Sequence, residues 1–247
     1  MSSHNQTLRH QRKILQLLYE NTSLSVREIS ERLNISGSTV RRNLAALSAM
    51  YSNIKKVHGG VEIDAFVSHR NHNRNAVDPH LITRAAGKVT PGDLVYLDSG
   101  ETALLLAEAI CQCSITVVTI DLKIASLMKD FNRTVLIGGS MERNCDFTTG
   151  PEALSQLAQY RFDVAFISTN CFDLVHGVTA PHVDNARLKQ QVLAHSARKY
   201  LIAEGHKFNK FSLHPVAALQ DFDAIITDGT IPELTLEMLE SCAVTLE

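Results

Sequence analysis

The sequence predicts a two-part α/β protein, with a small helical head at the N-terminus and a larger α/β domain built on a mainly parallel sheet. Three observations carry this expectation. Apolar residues recur at helical spacing as far as residue 47, short apolar runs alternate with helical stretches beyond residue 94, and the segment 65–80 shows no apolar period. With 247 residues, 45% of them hydrophobic and 20% charged, the chain can bury a sizeable core. The expected boundaries are a head over 1–64, a linker over 65–80 and a second domain over 81–247.

In the head, Ile14, Leu15, Leu17 and Leu18 predict an amphipathic helix ending near Glu20. Ser25, with Glu28 three residues on, is a capping-box start for a second helix over 26–33, where Ile29 and Leu33 share a face. Asn34-Ile35-Ser36-Gly37 reads as a short turn. A third helix is expected from about Ser38 through Ala49, with Val40, Leu44 and Leu47 inward and Thr39, Arg41, Arg42 and Asn43 outward. Residues 54–63 alternate apolar and polar positions around Gly59-Gly60 and predict a two-stranded wing.

The stretch 65–80 is rich in Asn, His and Arg and reads as a linker. His69, His72 and His80 within it have no carboxylate or Cys at ligand spacing, so they read as solvated rather than metal-binding. Beyond it, apolar runs at 94–97, 115–120, 135–137, 164–167, 200–203 and 224–227 predict buried strands. Helical patterns near 102–110, 122–129, 151–159, 184–197 and 232–240 lie between and after them, an alternation that gives a parallel sheet covered on both faces.

The formal charge of −2 hides an asymmetry. Residues 1–60 carry nine Lys and Arg against three acids, a net of +6, which leaves −8 for the remainder. That suits a phosphate-binding head on a non-basic body. The five cysteines, Cys111, Cys113, Cys145, Cys171 and Cys242, are odd in number and scattered, and read as free thiols in a reducing compartment. No apolar leader and no long apolar run are visible, so a cytoplasmic protein without membrane contact is expected, and no metal or cofactor is implied.

Two helices joined by a tight turn place the second in the major groove of double-stranded DNA, with its outward N-terminal residues at base edges. Here those are Ser36, Ser38, Thr39, Arg41 and Arg42. An Arg fork can grip guanine O6 and N7 or clamp a phosphate. Lys55, Lys56 and His58 on the wing would reach backbone phosphates, which position a protein without specifying sequence.

The run from Arg12 through Leu24-Ser-Val-Arg-Glu-Ile29, Leu33-Asn-Ile-Ser-Gly-Ser-Thr-Val-Arg-Arg-Asn-Leu44 and Val57-His-Gly-Gly60 resembles the winged helix-turn-helix of the DeoR family of bacterial sugar-metabolism regulators. That family usually has Asp where this chain has Asn43, and a Gly closing the helix where this chain has Ala49-Met-Tyr-Ser52. The resemblance continues through the second domain. Leu97-Asp98-Ser99-Gly100-Glu101-Thr102 stands where the family has Leu-Asp-Ser-Gly-Thr-Thr. Thr119-Ile-Asp121 aligns with a Thr-Asn element, Gly138, Gly139 and Gly150 with glycines near the third strand, and Asp228 with an Ile-Thr-Asp ending. Glu204-Gly-His-Lys207-Phe208 aligns with Asp-Ser-Ser-Lys-Phe.

The resemblance implies an effector domain similar in fold to ribose-5-phosphate isomerase, a small phosphorylated sugar as effector, and a homo-oligomer, dimer or tetramer. The implied ligand residues are Asp98, Ser99, Gly100, Glu101, Thr102, Thr119, Asp121, Gly138, Gly139 and Lys207. A strand ending in Ser-Gly before a helix offers free N–H groups and a positive dipole end, which suit phosphate, while Glu101 opposes an anion. The expected function is a DNA-binding repressor of a carbohydrate-utilisation operon, without enzymatic activity. Two rivals stand beside it: a sugar-phosphate isomerase with a DNA-binding head, drawing on Asp98, Glu101, Asp121, Asp184, Glu204 and Lys207, and a DNA-binding regulator that has no ligand response.

Overall fold

The computed structural model describes residues 3–21, 23–51, 54–63, 77–143, 145–231, 233–241 and 244–247. The chain divides into two compact units, Met1–Phe66 with Pro232–Met238, and Val67–Ile231 with Leu239–Glu247. Residues 232–238, read from sequence as part of the second domain, thus group with the head.

In the first unit, α1 (Ser3–Asn21), β1 (Ser23–Ser25), α2 (Val26–Leu33) and α3 (Gly37–Met50) are followed by β2 (Ile54–Val57) and β3 (Gly60–Ile63). The two wing strands pair antiparallel, Ile54 opposite Ile63 and Val57 opposite Gly60, and β1 joins them as a third strand on β3. Ile14, Leu15, Leu18, Ile29, Val40, Leu44, Leu47, Ile54 and Val61 are buried together, so each predicted apolar stripe meets the others in one small core.

The second unit opens with α4 (Pro79–Ala86), β4 (Leu94–Leu97), α5 (Glu101–Ile110), β5 (Thr116–Thr119), α6 (Leu122–Met128) and β6 (Arg133–Leu136). A short hairpin, β7 (Ser140–Met141) and β8 (Thr148–Thr149), precedes α7 (Pro151–Leu157) and β9 (Phe162–Ser168). Then come β10 (Phe172–Asp173), β11 (Gly177–Ala180), α8 (Val183–Ala194), β12 (Ser196–Ile202), β13 (His214–Ala217), β14 (Ala224–Ile226) and α9 (Glu233–Ser241). Strands β14-β12-β9-β4-β5-β6 form one six-stranded sheet, parallel throughout. Helices α4, α5 and α6 bury Leu81, Ala85, Leu106, Ile110, Ile124 and Met128 against Val95, Leu97, Val117, Val164, Phe166 and Ile202. Helices α7 and α8 pack together, with α8 against β9 and β12, where the alternate side chains of the strands emerge.

Three sequence expectations are corrected here. The linker does not run to residue 80: Asp78 caps α4 by accepting the His80 N–H at 2.9 Å, and Pro79 occupies the first helical turn. His80 is therefore helical, whereas His69, His72 and Cys242 lie outside the described residues. The helix expected over 184–197 stops at Ala194, because Ser196 already pairs with Phe162 in the sheet. A small antiparallel sheet, β10-β11-β13, was not foreseen, since strands of two to four residues leave too short a pattern to read. Among the described residues no helix is long and apolar enough to cross a membrane.

Candidate functional site

The capping box opens α2 as the spacing predicts: Ser25 Oγ accepts the Glu28 N–H at 3.1 Å and the Glu28 carboxylate accepts the Ser25 N–H at 2.8 Å. The Ser25 hydroxyl also donates to that carboxylate at 2.7 Å, and this bond first, then the one from the Ser25 N–H, holds the Glu28 carboxyl below its usual range. Asn34 ends α2 in the left-handed conformation, φ 52°, which turns the chain into α3. Ser36 then caps α3, taking the Thr39 N–H at 3.2 Å, with the Ser38 and Thr39 hydroxyls each 2.9 Å from its own. The three predicted hydroxyl residues therefore sit together at the N-terminus of α3, with Ser36 committed to the cap. Arg41 and Arg42 are exposed one turn along, and Lys55, Lys56 and His58 are exposed on the wing.

Asn43 departs from expectation. It is 1% exposed, packed beside Val40 and Leu44, and donates its amide to the Thr39 carbonyl at 2.8 Å. A carboxylate at this position could not donate that bond. Its Oδ1 is buried without a hydrogen-bond partner. Asn43 thus shapes the helix rather than reading DNA.

In the second unit the predicted residues gather at the carboxyl ends of the parallel strands, where open α/β sheets hold ligands. Gly100, at φ +109°, turns the chain from β4 into α5 in a conformation that side-chain-bearing residues avoid. Its N–H donates to Asp121 Oδ2 at 3.2 Å. Asp121 caps α6, accepting the Lys123 and Ile124 N–H groups, and Thr119 Oγ1 accepts the Asp121 N–H at 3.0 Å. No side chain caps the start of α5, and Glu101 in its first turn is exposed.

Ser168 and Lys189, which the sequence did not single out, complete this end. Asp98 is fully buried and ion-paired to Lys189 of α8, itself 6% exposed. Asp98 Oδ2 also accepts the Ser168 N–H at 3.0 Å and hydroxyl at 3.2 Å, while Lys189 donates to the Ser168 carbonyl at 2.9 Å. Asp98 Oδ1 and the hydroxyl of Tyr96 remain buried without hydrogen-bond partners. Burial first, then the charges of Asp98 and Asp121, push the Tyr96 phenol well above its ordinary range.

Beside this cluster, Thr102 donates to Glu204 Oε1 at 3.0 Å, and Glu204 is ion-paired to Lys207. Burial pushes the Glu204 carboxyl up, but the Lys207 charge and hydrogen bond, with the Thr102 hydroxyl, outweigh it and hold the group below its usual range. A carboxyl whose folded value lies below its unfolded one contributes its stabilisation above the unfolded value, about 4.3, and loses it as the pH falls. Wild-type protein is therefore expected to lose stability more steeply than Glu204→Gln below about pH 5 in urea melts, and equal slopes would show the pair contributes nothing.

The predicted residues thus fall in a set of three separate bonded groups: Asp98 and Ser99 with Ser168 and Lys189, Gly100 with Thr119 and Asp121, and Thr102 and Lys207 with Glu204. Gly138 gives its N–H to Gln156 at 3.0 Å and Gly139 packs on Thr149. No hydrogen bond among the described residues ties either glycine to that set. Lys189 did carry a signal, a lysine on the apolar stripe between Ala186 and Val192. No cluster of metal-ligating side chains occurs among the described residues.

Residues 9–65 match the DeoR-like helix-turn-helix domain, and residues 80–229 match the DeoR C terminal sensor domain. The chain is 30% identical over 243 residues to the HTH-type transcriptional regulator GlpR of Haloferax volcanii, covering 95% of each chain. It is also 30% identical over 228 residues to the Lactose phosphotransferase system repressor of Staphylococcus epidermidis, covering 88% of this chain and 90% of the repressor. Among solved structures, a D-ribose-5-phosphate isomerase in complex with phospho-erythronic acid aligns with a TM-score of 0.38 at 11% identity, over 52% of this chain and 51% of that one. With a helix-turn-helix unit and a sensor unit both matched, the chain belongs to the DeoR family of transcriptional regulators.

Proposed function

We propose that the protein represses a carbohydrate-utilisation operon, holding operator DNA through paired copies of its recognition helix and changing its grip when a phosphorylated sugar binds at the strand ends of the second unit. The observation that carries the sensing half is the Thr102–Glu204–Lys207 chain beside the uncapped start of α5. An uncapped helix start presents N–H groups and a positive dipole end to an anion. Lys207 already holds a carboxylate, so an incoming phosphate competes with Glu204 for it and moves the 204–207 turn as it binds. Asp98, Ser99, Gly100, Thr119 and Asp121 shape the loop, and exposed Glu101 flanks it. The lactose repressor among the relatives supports a sugar-linked role.

Pairing follows from DNA geometry, since two recognition helices about 34 Å apart read successive major-groove faces and one alone binds weakly. Ligand and operator then favour different arrangements, and each lowers the other's affinity by the same factor. An isomerase would need a base tuned toward neutral pH. Glu204 is held low and ion-paired to Lys207, so it does not suit that task.

Thermal melts against triose to hexose monophosphates test the sensing half. One of them should raise the melting temperature by several degrees, roughly the effect of saturating a site well above its Kd. Lys207→Met should abolish that rise. A panel without effect, or a Lys207→Met protein that responds like wild type, would contradict the assignment.

A further inference from the structure

The two edges of the six-stranded sheet are finished differently. At β14 the tail of the second unit closes the edge: the Ile225 N–H donates to the Thr245 carbonyl at 2.9 Å, and the Glu247 N–H donates to the Ile225 carbonyl at 3.0 Å. At β6 the edge is open. The Ile137 N–H donates to the Thr119 carbonyl of β5 at 2.9 Å, and along a parallel ladder alternate residues turn their N–H and C=O to the same neighbour. Those of Arg133, Val135 and Ile137 therefore face β5, and those of Thr134 and Leu136 face outward. Among the described residues no hydrogen bond reaches the outward backbone groups of Thr134 or Leu136.

An open edge is a template for another strand, and proteins blunt such edges with lysine, proline or a bulge. Strand β6, Arg-Thr-Val-Leu, has none of the three, and its register with β5 runs unbroken from Arg133 to Leu136. Its one charge, Arg133, stands at its first position. Leu122, Phe131, Leu136 and Met141, on the strand or near it in the chain, are exposed apolar side chains. The neighbouring charges cancel in pairs, Lys129 with Asp130 at 2.9 Å and Lys123 with Asp146 at 2.7 Å.

We propose that β6 pairs antiparallel with β6 of a second copy of this chain, making one continuous sheet across a twofold axis. An axis normal to the sheet sets one residue against its own copy, and a single register uses every outward group. Centred on Val135, it sets Thr134 opposite Leu136 of the second copy and Leu136 opposite its Thr134, each pair exchanging both N–H···O bonds. Centring on Thr134 would call on Asn132, whose N–H is taken by the Met128 carbonyl. Centring on Leu136 would call on Gly138, whose N–H is taken by Gln156. The Val135 register also keeps the two Arg133 residues about 14 Å apart along the strands, beyond the screening length of about 10 Å at ordinary salt. A strand pair alone falls short of the roughly 800 Å² per partner that a stable interface buries, and the flanking apolar side chains supply the rest. This assignment rests on the reading that copies pair on the operator, and gives that pairing its surface.

Sedimentation equilibrium of the full chain tests both. Wild type should be a dimer or larger. Thr134→Pro and Leu136→Lys should each raise the dissociation constant by about tenfold or more, the scale of one or two lost hydrogen bonds. Thr134→Pro removes an outward donor and leaves the bonds to β5, and Leu136 is 41% exposed, so circular dichroism should be unchanged. Oxidation reads the register. In a non-hydrogen-bonded pair the Cα atoms lie about 4.5 Å apart, within disulfide reach. Val135→Cys should therefore cross-link copies far more than wild type or Arg133→Cys, and this decides the matter if an edge variant misfolds. An assembled wild type overturns the edge assignment alone if both folded edge variants assemble as it does, or if Val135→Cys cross-links no better than Arg133→Cys. A monomeric wild type that Val135→Cys does not cross-link overturns the pairing itself.

Discussion

Replacing Arg41 and Arg42 with Ala is expected to weaken operator binding by roughly tenfold each, and by about a hundredfold together, if each grips a base edge or a phosphate. Both side chains are exposed on the outward face of α3, one turn from a start fixed by the Ser36 cap, and neither contributes to the buried stripe of Val40, Asn43, Leu44 and Leu47. The fold of the head should therefore survive. Salt separates their roles. Removing a phosphate clamp lowers the slope of log affinity against log salt by about one, whereas removing a base-edge hydrogen bond relaxes sequence preference at one position. Equilibrium titration of a labelled duplex at several salt concentrations reads both. Unchanged affinity in the double variant would remove α3 from the interface.

The largest effect on stability is expected at Lys189. Lys189→Met leaves the Asp98 carboxylate fully buried without its cation, a change that costs about 3–5 kcal/mol in comparable sites. Against a total stability of about 5–15 kcal/mol, that is enough to unfold much of the second unit at elevated temperature. The companion variant Asp98→Asn/Lys189→Met should recover most of the loss. The amide oxygen of Asn can still accept from the Ser168 N–H and hydroxyl, and no charge is left buried. Urea unfolding of the four proteins in the cycle measures the coupling directly. Additive losses would mean that the two groups are not partners.

Most of the head was legible because local rules agree there. The capping box, the Asn34 turn and the alternating wing are short-range signals, and each was placed by residue. The misplaced residue, Asn43, was legible too. Positions 40, 43, 44 and 47 form one helical stripe, and the polar side chain drew Asn43 outward against its own spacing. Helix α4 carried an Asp-Pro start before Leu81, Ile82 and Ala85 that was absorbed into the polar stretch ahead of it. In the second unit the strand ends were predictable from the apolar runs. Their cross-links were not, because Thr102 and Glu204 meet across 102 residues and Asp98 and Lys189 across 91. Such pairings depend on the strand order β12-β9-β4, which no local pattern encodes.

Coupling of a sugar phosphate to DNA within one protein is tested most directly by titrating the full chain against a duplex selected from a random pool, with and without the sugar monophosphate that most raises its melting temperature. This sugar is expected to change duplex affinity by at least about fivefold, the lower range of allosteric coupling. Lys207→Met should bind the duplex like wild type but ignore the sugar. Duplex binding that no sugar phosphate alters, or turnover of the sugar at ordinary enzyme rates, would contradict a sugar-responsive repressor.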